Sequence, residues 1–83
     1  LNTGKVRNHL RVARAERNMT QAELAKGVGV TRQTIGLIEG GEYNPTLRLC
    51  LLIAAVLGKG LDELFWLEDD ETAEARRGAG RHA

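Results

Sequence analysis

Gln21-Ala22-Glu23-Leu24-Ala25-Lys26-Gly27-Val28-Gly29-Val30-Thr31-Arg32-Gln33-Thr34-Ile35-Gly36-Leu37-Ile38 is the stretch on which the fold turns. Thr20, immediately before it, and Glu23 form a capping box, in which hydroxyl and carboxylate satisfy each other's orphan backbone amides. A helix therefore starts there, with Leu24, Ala25 and Val28 on its buried side. Gly29 ends it, because glycine takes the left-handed conformation at a helix terminus without strain. Gly27, inside the helix, costs about 1 kcal/mol relative to alanine. Val30 fills the corner, Thr31 is a second N-cap, and Ile35 and Ile38 are the inward positions of the next helix. Ala25 is small where two crossing helices press closest. The stretch reads as two brief capped helices joined at a glycine corner.

Working outward toward the N-terminus, Val6, Leu10 and Ala13 recur at helical spacing, with Arg7, Arg11 and Arg14 on neighbouring stripes, which predicts helix one over 6–17. Asn18 and Met19 interrupt it. In the other direction, helix three ends at Gly40-Gly41, and Glu42-Tyr43-Asn44-Pro45 is a loop because proline cannot continue a helix. Thr46 caps helix four, Leu47 to Leu57, which is apolar almost all round and reads as the central core element. After Gly58-Lys59-Gly60, Leu61 to Leu67 read as a short helix five carrying Phe65 and Trp66. Glu68 to Ala83 is acidic, then rich in Gly, Arg and Ala, with too few large apolar residues to offset ordering entropy. The expected fold class is all-α: one five-helix domain over 5–67, followed by a mobile tail over 68–83.

The bulk properties agree. A chain of 83 residues, 42% apolar and 28% charged, is sized for one globular unit and too small for a large enclosed catalytic cleft. With one Trp, one Tyr and one Phe, the core must come from Leu, Ile, Val and Ala, which suits helices. Cys50 is alone, which excludes an internal disulfide, and its place among Leu and Ile reads as a small buried thiol in a protein of the reducing cytoplasm. The longest apolar run, Leu49 to Leu57, has nine residues, against about 20 needed to span a bilayer. Leu1-Asn2-Thr3-Gly4-Lys5 lacks the apolar core of a signal peptide. His9, read as a surface residue of helix one, and His82 stand far apart, so no metal site or cofactor is expected. Asp62-Glu63 and the run from Glu68 to Glu71 read as helix N-terminal acids and a solvated run rather than a catalytic pair. No phosphate loop, nucleophile elbow or dinucleotide fingerprint occurs, so an enzyme is not expected.

The net charge of +1 is unevenly spread. Residues 1–35 carry +5, residues 36–67 carry −2, and residues 68–83 carry −2. The basic N-terminal half is either a face for polyanions or a solvated helix face.

The two capped helices at the glycine corner have the sequence form of a helix-turn-helix. Helix three then projects Arg32, Gln33 and Thr34 outward, and such a helix fits the ~12 Å major groove of B-DNA. At this point the chain resembles the phage repressor and Cro family, the Xre-like helix-turn-helix transcriptional regulators. The resemblance lies in Leu10-Arg11, Thr20-Gln21-Ala22-Glu23-Leu24-Ala25, Gly29-Val30-Thr31-Arg32-Gln33-Thr34-Ile35, Ile38-Glu39, Asn44-Pro45-Thr46-Leu47 and Leu61-Asp62-Glu63-Leu64-Phe65. It covers residues 5–67, about three quarters of the chain.

The resemblance implies roles residue by residue. Arg32, Gln33 and Thr34 match base-facing positions. Gln21 matches a position that grips a phosphate and supports the recognition helix, and Tyr43 and Asn44 match a loop that touches the DNA backbone. Arg14 and Glu39 match a partly buried ion pair. Gly36 and Leu37 depart from the family, where these helix-three positions are often polar, which predicts a readable surface confined to the first turn. Gly40, Gly41 and Glu42 replace a stretch that commonly carries Lys or Arg, so positive potential must come from Lys5, Arg7, Arg11, Arg14 and Lys26, with Arg11 and Lys26 the backbone-contact candidates.

Leu52 and Ala55 stand where relatives usually place charged residues. With Phe65, Trp66 and Leu67 they make either an association patch or a surface packed under the tail. The expectation is a homodimer through helices four and five with recognition helices about one DNA turn, ~34 Å, apart. The overall expectation is a sequence-specific binder of double-stranded DNA, a repressor that occludes a promoter. The alternative is the antitoxin of a toxin–antitoxin pair, with a small protein partner that the acidic tail engages.

Overall fold

The computed structural model describes residues 5–68, in the order β1 (Lys5–Asn8), α1 (Leu10–Glu16), α2 (Gln21–Val28), α3 (Arg32–Glu39), α4 (Leu47–Leu57), α5 (Leu61–Leu64) and β2 (Phe65–Glu68). The expected tail lies outside the described residues except for Glu68, which closes β2.

All five expected helices are present, and local chemistry sets their ends. Thr20 Oγ1 accepts from Glu23 N at 3.0 Å while Glu23 Oε1 accepts from Thr20 N at 2.8 Å, closing the capping box at the start of α2. Thr31 and Thr46 cap α3 and α4 in the same way, each hydroxyl accepting at 3.1 Å from the amide three residues on. At the corner between α2 and α3, Gly29 has φ +80°, the left-handed conformation that a side chain would strain.

Two boundaries differ from the sequence reading. Helix one begins at Leu10 rather than Val6, and helix five stops at Leu64 rather than Leu67. The residues left over at each end pair as a two-stranded antiparallel sheet in the register Lys5↔Glu68, Val6↔Leu67, Arg7↔Trp66 and Asn8↔Phe65. Thus the fold is predominantly helical with a small sheet, rather than helical alone. Asn8, the last residue of β1, supports the start of α1: its Oδ1 accepts from Leu10 N at 3.1 Å. The partner that turns Val6 and Arg7 into a strand lies some sixty residues away in sequence, where local periodicity has no view of it. Strand-favouring Val6, Phe65 and Trp66 then prefer pairing to a frayed helical turn. His9, expected on the surface of helix one, instead occupies its N-cap position, exposed, with its ring edge-on to Trp66 at a centroid separation of 4.5 Å.

One core joins the elements. Leu10, Leu24, Ile35, Ile38, Ile53, Leu57 and Leu64 are fully buried, drawn from α1 through α5. α2 packs against both α3 and α4, with Ala25 buried and Gly27 facing Val56 of α4. Cys50 is half-buried, with Sγ 4.0 Å from the Pro45 carbonyl, and burial pushes its thiol up, away from the reactive thiolate.

Candidate nucleic-acid interface

α3 has two unlike sides. Ile35 and Ile38 are fully buried, which anchors the helix. Arg32, Gln33 and Leu37 are exposed on the other side, with Gly36 half-buried between them. Thr34 sits at the edge of that face, half-buried, its hydroxyl 3.0 Å from the Thr31 hydroxyl. Of the three residues matched to base-facing positions, Arg32 and Gln33 are therefore exposed at the first turn, and Thr34 is engaged with the helix cap.

Behind α3 lies a chain of charge-assisted hydrogen bonds. Arg14 of α1 donates from Nε to Glu39 Oε2 at 2.6 Å and from Nη2 to Glu39 Oε1 at 3.1 Å, a two-pronged pair with side chains only 13% and 3% exposed. Its remaining prong, Nη1, donates to the Met19 carbonyl at 2.9 Å. Gln21 donates from Nε2 to Glu39 Oε1 at 3.0 Å, which leaves its Oε1 to accept from Arg32 Nη1 at 3.4 Å. Burial by itself would raise the Glu39 carboxyl pKa. Hydrogen bonds from Arg14 and Gln21, with the charges of Arg14 and Arg11, outweigh burial and hold the group below the ordinary carboxylate value. Glu39 is thus an anion fixed at the base of the helix, and Gln21 relays its position to Arg32.

The residues matched to backbone contacts are spread over several elements. Arg11 is exposed on α1, Lys26 is exposed in the last turn of α2, and Tyr43 and Asn44 are exposed in the loop after α3. Gln21, at the start of α2, is half-buried and turned toward Glu39 and Arg32. The sequence reading missed Asn8, whose Nδ2 donates to the Ile38 carbonyl at 2.9 Å and so ties β1 to the last turn of α3. Nothing in the local sequence signals that bond, because it spans thirty residues.

Among the association candidates, Leu52 and Phe65 pack partly buried against the core, Ala55 and Leu67 are exposed, and Trp66 is half-buried beside His9. The exposed apolar stripe of α4 is instead Leu47, Leu51 and Ala55, with Leu47 at 65% and Leu51 at 52%. Their four-residue spacing was available in the sequence, but an almost wholly apolar helix hides which side is outermost. Val6, Leu61, Phe65, Trp66 and Leu67 with Asp62 line a shallow groove of about 480 Å³ beside the sheet. Among the described residues, no group of three or more His, Cys, Asp or Glu is placed to hold a metal ion, and no helix is long and apolar enough to cross a membrane.

Known proteins are similar to this chain in sequence and in fold. The model of the helix-turn-helix family matches residues 10–64. An uncharacterised HTH-type transcriptional regulator of Archaeoglobus fulgidus is 48% identical over 66 residues, covering 80% of this chain and 94% of that one. The HTH-type transcriptional regulator MJ0272 of Methanocaldococcus jannaschii, also uncharacterised, is 47% identical over 66 residues, covering 80% of this chain and the whole of its own. In shape, a candidate DNA-binding protein from Bacteroides fragilis superposes with a TM-score of 0.68 over 74% of this chain and 98% of that one, at 24% identity. With α2, the Gly29 corner and α3 in place, the chain belongs to the Xre-like helix-turn-helix family and is a transcriptional regulator with a helix-turn-helix DNA-binding domain.

Proposed function

We propose that the protein is a sequence-specific repressor that binds double-stranded DNA as a homodimer, laying α3 of each subunit in the major groove and occluding a promoter. The observation that carries this reading is the exposed pair Arg32 and Gln33 on a helix whose other side is locked into the core. Arginine bridges the O6 and N7 acceptors of guanine, and glutamine bridges N6 and N7 of adenine, each good pair discriminating by ~1 to 3 kcal/mol. Thr34, at the edge of the face, contributes a hydroxyl once the DNA is in place. Arg11, Lys26, Tyr43 and Asn44 meet phosphates, and Gln21 serves the same backbone while steadying Arg32. The dimer is favoured by the exposed Leu47, Leu51 and Ala55 stripe on α4 together with exposed Leu67 and half-buried Trp66, since apolar side chains grouped at a surface mark association.

Selection of bound oligonucleotides from a random duplex pool tests the reading. The expected result is a two-fold symmetric sequence with half-sites about one helical turn apart. A pool that returns no shared sequence would refute base reading. A clean monomer in sedimentation at high micromolar concentration, with single half-sites selected, would refute the dimer.

A further inference from the structure

We infer that Leu37 is a specificity-determining residue that reads the 5-methyl group of a thymine, so that the base-reading surface extends past the first turn of α3. This rests on the reading of α3 as the groove-facing helix. Arg32, Gln33, Gly36, Leu37 and Gly40 follow the spacing of a single helical face, opposite the fully buried Ile35 and Ile38. On that face Leu37 is the only large apolar side chain. It is 37% exposed and is neither one of the buried core residues nor one of the partly buried residues packed on them, which are Met19, Val30, Leu52, Val56 and Phe65. Beyond Gln33, one turn before it, its neighbours on the face bring no side chains, since residues 36 and 40 are both glycine.

Neither the backbone nor packing requires Gly36. It lies in regular helix, its φ is not positive, and an added Cβ would meet only the Gln21 amide at 3.8 Å, an ordinary contact. A glycine mid-helix without internal need is an unforced cost to the fold. Its effect is to strip the outward surface beside Leu37, so that the helix backbone can approach a neighbouring surface and the leucine becomes the one projecting group of the second turn. Among the base edges lining the major groove, the thymine methyl is the apolar one, and every other edge offers a donor or acceptor. A leucine there leaves any other base edge unpaired, whereas against a methyl both apolar groups leave water together. Four residues of helix rise separate Leu37 from Gln33 by about 6 Å, so the thymine falls within about two base pairs of the base that Gln33 meets.

The test removes the methyl and nothing else. In the selected operator, each thymine is replaced in turn by deoxyuridine, and binding is measured by fluorescence anisotropy for the wild type, Leu37→Asn, Leu37→Ala and Arg32→Ala. For the wild type, one thymine per half-site should weaken binding about fourfold when its methyl is lost, the worth of one buried methylene-sized group. Leu37→Asn, similar in size but polar, and Leu37→Ala should bind thymine and uracil duplexes equally at that position. Both should remain folded with a modest drop in melting temperature, since Leu37 is partly covered but is not one of the buried core residues. If a sequence is selected and Arg32→Ala loses it, yet no uracil replacement weakens the wild type, the inference is overturned while the DNA reading stands. Leu37 variants that keep full sensitivity to the methyl would overturn it equally. If the pool returns no shared sequence, both fall together.

Discussion

Replacing Arg14 by methionine would remove the cation from a pair in which Glu39 is 3% exposed, leaving a carboxylate with Gln21 as its remaining side-chain donor. Stranding an enclosed charge in this way costs about 3–5 kcal/mol, and the surviving Gln21 bond puts the expected loss at the lower end, about 3 kcal/mol. For a domain of this size that is a large share of total stability, and the melting temperature should fall by ~12 to 24 °C. The pH dependence separates this cause from simple loss of packing. In the wild type the Glu39 pKa is depressed, so its contribution is present above the unfolded carboxylate value and is lost as pH falls through the lower folded value. In Arg14→Met, burial acts without its main opponent and the folded pKa rises. The variant then loses stability as pH climbs from the unfolded value through the raised one, and regains it on acidification. Urea denaturation between about pH 4 and pH 7 should show the gap between the two proteins narrowing toward acid, and Arg14→Met/Glu39→Leu should recover most of the loss at neutral pH. A gap that stays constant with pH, or a double variant no better than the single, would refute the claim that an unpaired anion is what destabilises the variant.

Other substitutions separate reading from holding. Arg32→Ala should lower operator affinity and blur preference at one base pair, whereas Arg11→Ala should weaken all sequences evenly and reduce the salt slope by about one, both measurable by anisotropy across a salt series. Gly36→Ala should raise stability by up to ~1 kcal/mol in denaturant while weakening operator binding, because the added methyl meets nothing harmful inside the protein but stands on the outward face. Gly29→Ala, at φ +80°, should destabilise by about 1 kcal/mol or more in the same assay, although open space surrounds the position. Leu51→Glu should leave the melting temperature of the subunit nearly unchanged and shift sedimentation to a monomer, since Leu51 is 52% exposed on α4.

What was legible in the sequence was whatever short-range chemistry determines. The Thr20 and Glu23 box, the Thr31 and Thr46 caps, and the left-handed Gly29 each act within a few residues, and each end falls where its local cause puts it. The inward Ile35 and Ile38 followed from helical spacing in the same way. Contacts that span the chain were less legible. Val6 continues the helical spacing of Leu10 and Ala13, yet it pairs with Leu67, and the stretch from Leu61 to Leu67 breaks at Phe65 for the same reason. On α4, hydrophobicity on every side concealed that Leu47 and Leu51 face out while Leu52 faces the core. The arrangement of Arg14, Glu39, Gln21 and Arg32 combines the two cases. The ion pair came from the family resemblance, and the bond from Gln21 to Glu39 emerged only from the assembled helices.

The stance of α3 is fixed from three directions by the three elements that precede it in the chain. α1 reaches its last residue through Arg14 and Glu39, α2 reaches its first through Gln21 and Arg32, and β1 reaches its last turn through Asn8 and the Ile38 carbonyl. Between these ties, Ile35 and Ile38 hold the shaft in the core. Two of the ties lie off the outward face, and the third, from Gln21, holds the outward Arg32 itself. A helix held this way arrives at a groove with its backbone already ordered, so binding orders only the few side chains at its surface, and the entropic cost of association is correspondingly reduced. It also makes the sheet part of the support of α3, the helix proposed to read bases. Because Asn8 joins the strand that carries Val6 and Arg7 to the end of α3, whatever shifts the paired ends of the domain is transmitted to the helix. The four-residue strands, too short to be stable alone, are therefore more than a seam closing the fold: they are the third support of the surface on which Arg32, Gln33 and Leu37 stand.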